Sequence, residues 1–134
     1  MNPIWTDGNG HFYEGDMQPG DRAATDAEVA AWRASLVDLP TVQAECARRI
    51  NLIVSDDQKL SMLGGMVAQI ASVSLLGQAV TPAEQTAGTL FIQSMQWIGA
   101  MKGACAALVG NVDYQQDANW PVLPNGLAAF AATF

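Results

Sequence analysis

Charge is scarce in this chain: 14% of its 134 residues are Asp, Glu, Lys or Arg, against roughly 25% in ordinary soluble domains. Hydrophobic residues make up 50%, so part of the surface is expected to meet another chain rather than water. Basic residues are the rarer sign, 6 against 13 acidic, leaving a net charge of −7. That field repels phosphate backbones and anionic headgroups, which excludes nucleic acid from the expected partners. Histidine occurs once, at His11, so no histidine pair can hold a metal. A nucleophile with a histidine base would have to use that one residue, and no motif brings Cys46 or a serine to it. The reading is therefore non-enzymatic, with no catalytic residue, no metal and no cofactor assigned. Cys46 and Cys105 are too few for a disulfide framework or a cysteine metal site. They read as buried free thiols in a reducing compartment.

Long uninterrupted apolar runs are missing too. No charge occurs from Leu60 to Ala83, and after Glu84 the next is Lys102. Ser61, Gln69, Ser72, Ser74 and Gln78 interrupt the first stretch, and Gln85, Gln93 and Gln96 the second. Both fall short of the predominantly apolar run of about 20 residues that a spanning helix needs. Membrane insertion is disfavoured, and helices buried between protein surfaces are expected. The segment Met1 to Asp7 also lacks the basic stretch and apolar run of a secretory signal, so export is not expected.

What the chain does have is local signals for one domain with an appendage. Asp7-Gly8 and Asn9-Gly10 supply the positive-φ residues of a tight turn, flanked by Ile4, Trp5, Phe12 and Tyr13. This predicts a β-hairpin docking segment over 1–22, with two strands in 3–14 and a turn-rich connector from Gly15 to Arg22. The start Asp7-x-Asn9 superficially resembles a calcium loop. It fails at Phe12, where glycine is needed, and at Gln18, where a bidentate glutamate is needed. Asp56, Asp57, Asp113 and Asp117 read as caps or solvated charges.

A helical domain is expected over 23–110. Thr25 and Glu28 form a capping box before Val29, Trp32 and Leu36, and that helix should stop ahead of Pro40. A second helix begins near Thr41 and carries Val42, Cys46, Ile50 and Ile53, after which Ser55-Asp56-Asp57 breaks it or caps the next. A third, over 58–79, holds Leu60, Leu63, Val67 and Ile70 beside Met62, Met66 and Val73, a pattern that predicts burial on more than one side. Gly64-Gly65 in its middle predicts a kink or a close backbone approach. Thr81-Pro82-Ala83-Glu84 starts a long fourth helix over 82–109, with Gly99 and Gly103 on a face open to close approach. The last two should form an antiparallel hairpin whose Met62, Met66, Met95 and Met101 pack in the core rather than form an adaptable groove. Residues 111–134 read as an extended Trp/Pro tail with a short terminal helix bearing Leu127, Phe130 and Phe134. The fold class expected is mainly α, a helical hairpin or bundle with a small N-terminal β-hairpin. Trp5, Phe12, Tyr13, Trp32, Trp120 and Phe134 are the partner-binding candidates, being peripheral and of hot-spot type.

The opening Ile4-Trp5-Thr6-Asp7-x-x-Gly10-x-Phe12-Tyr13 leads through Pro19-Gly20-Asp21 into Thr25-Asp26-Ala27-Glu28, and Trp97-Ile98-x-x-Met101 and Asn119-Trp120-Pro121 follow. Together they resemble the small tail-fibre assembly and tail-associated proteins of bacteriophages and prophages. The resemblance implies a non-enzymatic protein that binds a tail-fibre or tail-tip subunit, as an assembly chaperone or as a virion tail component. It implies residence in the host cytoplasm during assembly or on the virion tail, with a homo-oligomer as a further arrangement. The chain is shorter and richer in uncharged helix than the better-known fibre chaperones. The alternative reading is a holin-like membrane protein built on the 60–101 hydrophobic hairpin.

Overall fold

The computed structural model describes residues 2–134; Met1, at the head of the docking segment, lies outside them. The chain is mainly helical, 61%, with five helices and a small antiparallel sheet among the described residues. Strands β1 (Ile4–Thr6) and β2 (Phe12–Glu14) pair as expected, Trp5 opposite Tyr13. The connector is more ordered than the turn signals suggested. Its end forms β3 (Arg22–Ala23), which pairs with the other edge of β1 and makes that strand the centre of the order β2-β1-β3. A two-stranded hairpin is marginal in water, so the third strand supplies the pairing it needs.

Helix α1 (Asp26–Ser35) opens on the predicted capping box, Thr25 with Glu28. Glu28 also takes both guanidinium nitrogens of Arg22, at 2.7 and 2.9 Å, tying β3 to α1. The Arg22 hydrogen bonds, followed by the Thr25 amide, hold the Glu28 carboxyl down at about 2. Its folded pKa lies below its ordinary value, so whatever this clamp contributes is present above about 4.5 and lost as pH falls toward about 2. Amide protection at Arg22 to Glu28, measured against the intrinsic exchange rate at each pH, is expected to fall across that window while the α2 amides stay protected.

Helix α2 (Leu39–Ile53) starts two residues earlier than expected. Asp38 accepts the Thr41 amide at 2.9 Å, and Pro40 sits inside the first turn, where its missing N–H has no intrahelical partner to lose. Ser55 and Gln58 then cap α3 (Asp56–Leu76) with a second capping box. That helix ends at Gly77, left-handed at φ 65°, rather than at Ala79. Glycine just past the last turn is the ordinary stop, and it overrides the apolar pattern. Helix α4 (Pro82–Leu108) follows its predicted bounds closely. The tail makes a 3-10 turn at Asp117–Asn119 and a five-residue helix, α5 (Leu127–Ala131).

The principal core lies between α2 and α4, closed by the tail. Val37, Val42, Cys46 and Ile50 meet Trp97, Met101, Cys105 and Leu108, with Trp120 and Leu127 folded over them. A smaller cluster of Val54, Met62 and Ala131 joins the start of α3 to α5. Both chain ends are therefore held: Ile4 and Thr6 are buried in the sheet and Leu127 in the tail.

The expectation that α3 is buried on more than one side is overturned. Met62 is its one buried residue. A single partner helix, α4, runs along it, so a helix with apolar residues all round leaves most of them uncovered. The methionines divide the same way: Met62 and Met101 are buried, Met66 half-buried and Met95 exposed. Gly64 has nothing within 4 Å of where a Cβ would sit, and neither do Gly99 and Gly103. Gly65 is approached by the ring of Phe134 at 3.5 Å, an aromatic edge rather than a helix backbone.

Candidate docking surface

Strand alternation divides the N-terminal aromatics between the two faces of the sheet. Thr6 and Phe12 lie opposite one another, and the Phe12 ring stacks on Trp32 of α1 with centroids 5.8 Å apart at 22°. These two candidates thus serve each other: they hold the sheet onto α1. Trp5 and Tyr13 form a cross-strand pair on the other face. The Trp5 indole N–H donates to the Gly15 carbonyl at 2.8 Å. The Tyr13 hydroxyl donates to the Asp21 carboxylate and accepts the Gln18 amide. Partial burial, then the Asp21 carboxylate, raise the Tyr13 pKa, so the phenol stays neutral and polar at its tip. His11 stacks on Tyr13 at 5.4 Å. The outer face therefore offers Trp5, His11 and Tyr13, half-buried or exposed, beside the free edges of β2 and β3. Phe12→Ala is expected to lower stability by about 1 kcal/mol through loss of the stack, with a red shift in tryptophan emission as Trp32 meets water.

Trp120, expected at the periphery as a partner contact, lies inside the fold of the isolated chain. It is 5% exposed, its indole N–H donates to the Tyr114 carbonyl at 2.6 Å, and the Arg49 guanidinium lies over its ring at 5.4 Å. Arg49 bonds Glu45 and Asp117 at 2.8 Å each and also reaches the Gln115 carbonyl. Glu45, itself buried, takes Arg48 as well, at 2.6 and 2.8 Å. Arg48 first and Arg49 after it hold the Glu45 carboxyl below its usual range, against the opposing effect of burial. The network and the stacked indole form a buckle that fastens the tail to α2. A cleft of about 530 Å³ lies along it, between α2, α4 and the segment Pro121 to Leu123. Phe134 is half-exposed and packs edge-on against Phe130 at 5.2 Å.

A further candidate surface lies on α3, whose apolar rows were expected to be buried on more than one side and, from the scarcity of charge, to meet another chain. On α3, Leu60, Leu63, Val67, Ile70, Leu75 and Leu76 are all more than half exposed, Leu75 at 82%. Ile92 and Met95 of α4 are likewise more than half exposed. A groove of about 490 Å³ runs between the helices, floored by Met62, Phe91 and Ile98, with Lys59 and Lys102 among its lining residues. Scattered exposed aliphatics are normal, but Leu60, Leu63, Val67 and Ile70 recur at helical spacing along one side of α3 and so form an apolar stripe rather than isolated exposures. The charge-free run from Leu60 to Ala83 was the signal for it. A chain with one long partner helix has too little protein to cover such a run on every side.

The expectation that the polar interruptions leave the first charge-free stretch too short of apolar residues is not met: by length and composition α3 is, among the described residues, the one helix long and apolar enough to cross a membrane, and only 6% of its most apolar stretch is buried in the fold. Compared with models of protein families, with curated proteins and with solved structures, the chain matches none.

Proposed function

We propose that this chain is a non-enzymatic phage tail protein that binds a tail-fibre or tail-tip subunit, using the uncovered face of α3 and α4 as its main contact and the Trp5–Tyr13 face of the sheet as a second. The exposed face carries the reading. The stripe of Leu60, Leu63, Val67 and Ile70 left in water costs the free chain hydration free energy of roughly 25 cal/mol per Å², which a partner surface recovers. An unassembled fibre subunit presents the complementary problem, apolar surface and open strand edges that aggregate until covered. Residence would be the host cytoplasm during assembly or the virion tail, and the resemblance of the opening and Trp-Pro segments gives the partner class.

Co-expression with a tail-fibre subunit, followed by size exclusion, tests it: co-elution and more soluble fibre are expected. Separate elution with unchanged fibre solubility would overturn the reading. A second reading, a holin-like membrane protein, draws on the length, apolarity and exposure of α3. At about 1.5 Å per residue its 21 residues reach roughly 31 Å, close to the hydrocarbon thickness of a bilayer. Carbonate-resistant sedimentation of the chain with membranes would favour that reading over the first.

A further inference from the structure

Cys46 of α2 and Cys105 of α4 are both buried and line the same crevice, a space of about 300 Å³ bounded also by Gln43, Ala47, Ile50 and Lys102. They belong to the same buried cluster across the main helix–helix contact of the fold. Cys105 itself donates to the Met101 carbonyl one turn back at 3.6 Å. We propose that these two thiols form a redox-conditional staple: open in a reducing compartment, and closed as an intramolecular disulfide when the protein meets an oxidising one.

Three features argue for this pair. The residues sit on different helices far apart in sequence, so a bond between them closes a loop that contains the whole of α3 and constrains the unfolded chain strongly. The crevice gives a small oxidant a way to sulfur atoms that are otherwise covered. Both sulfurs already sit in the packed contact between α2 and α4, so a bond between them joins elements that the fold holds side by side. Burial first, and then Cys105, push the Cys46 thiol up to about 11 against a weaker opposing effect of Lys102, so Cys46 reacts slowly near neutrality. Such a device suits a protein that folds in a reducing compartment and works outside it.

The chemistry balances with a small disulfide as the oxidant. One protein thiol loses its proton to solvent, and the thiolate attacks a sulfur of the reagent, breaking its S–S bond and releasing one reagent thiolate. The second protein thiol, deprotonated in turn, attacks the mixed disulfide and releases the other. The protein loses two electrons and the reagent gains them, leaving one protein disulfide and two reagent thiols.

Oxidised glutathione applied to the folded chain at mildly alkaline pH tests the proposal by intact mass and by peptide mapping without reduction. A mass lower by two hydrogens, one linked peptide holding Cys46 and Cys105, and a higher denaturant midpoint that dithiothreitol reverses are expected. The variant Cys105→Ala, under the same treatment, should stop at the mixed disulfide on Cys46. Retained glutathione on the wild-type chain, disulfide-linked dimers, or two thiols still free after prolonged exposure would each overturn it. None of these readouts involves a tail subunit, so failure here is separate from failure of the proposed function.

Discussion

Replacing Trp120 by alanine is expected to lower the unfolding free energy by about 3 to 5 kcal/mol, the range for a large buried aromatic. For a domain whose whole stability is of order 5 to 15 kcal/mol, that is a large fraction. The ring fills the space between α2 and the tail, and its indole N–H and the Arg49 guanidinium above it are both satisfied in place. Arg49→Ala should cost about 1.5 to 3 kcal/mol by a different route, the range for a lost hydrogen bond to a charged group, since the buried Glu45 keeps Arg48 but loses its second cation. The two changes share one structure, so the double variant should lose less than the sum of the singles by 0.5 kcal/mol or more, on the order seen for coupled neighbours. Denaturant midpoints give all three values, and hydrogen exchange should show early loss of protection over 111–131. A Trp120→Ala cost under about 1 kcal/mol would mean that the tail does not close the core.

The opposite pattern is expected on α3. Val67→Glu together with Ile70→Glu should leave the stability of the isolated chain within about 1 kcal/mol, because both side chains are more than half exposed and neither joins a core cluster. If the proposed tail subunit binds this face, its affinity should fall about a hundredfold or more, since two charges would have to be desolvated against an apolar surface without a counter-ion. Titration of the tail subunit with wild-type and doubly substituted chain reads the difference. A large loss of stability with binding unchanged would show that α3 is covered within its own chain and that the partner sits elsewhere.

These two substitutions separate positions that look alike in sequence. Val67 and Trp97 each sit in a long apolar helix with the same heptad-like spacing, yet one faces water and the other fills the core. Periodicity reports which residues share a face; it does not report how many faces the rest of the molecule can cover. The same blindness affected the aromatics. Phe12 and Trp32 are far apart in the chain and both read as free to meet a partner, whereas strand alternation and the position of α1 bring them together. Arg49, the centre of the buckle, carried no signal, because its partners Asp117 and Trp120 lie in a segment with no regular pattern.

Local chemistry was sufficient for the punctuation of this fold. Side-chain oxygens at Thr25, Ser55 and Thr81, and the proline at position 82, dictate helix starts through bonds that close within four residues. The turn glycines dictate the hairpin in the same way. Burial is different, because it depends on what other elements reach a surface across long sequence separations. Only the tertiary arrangement, with α2 rather than α3 packed most fully on α4, determined that Trp120 is buried, that Cys46 and Cys105 share one crevice, and that the apolar stripe of α3 is left uncovered.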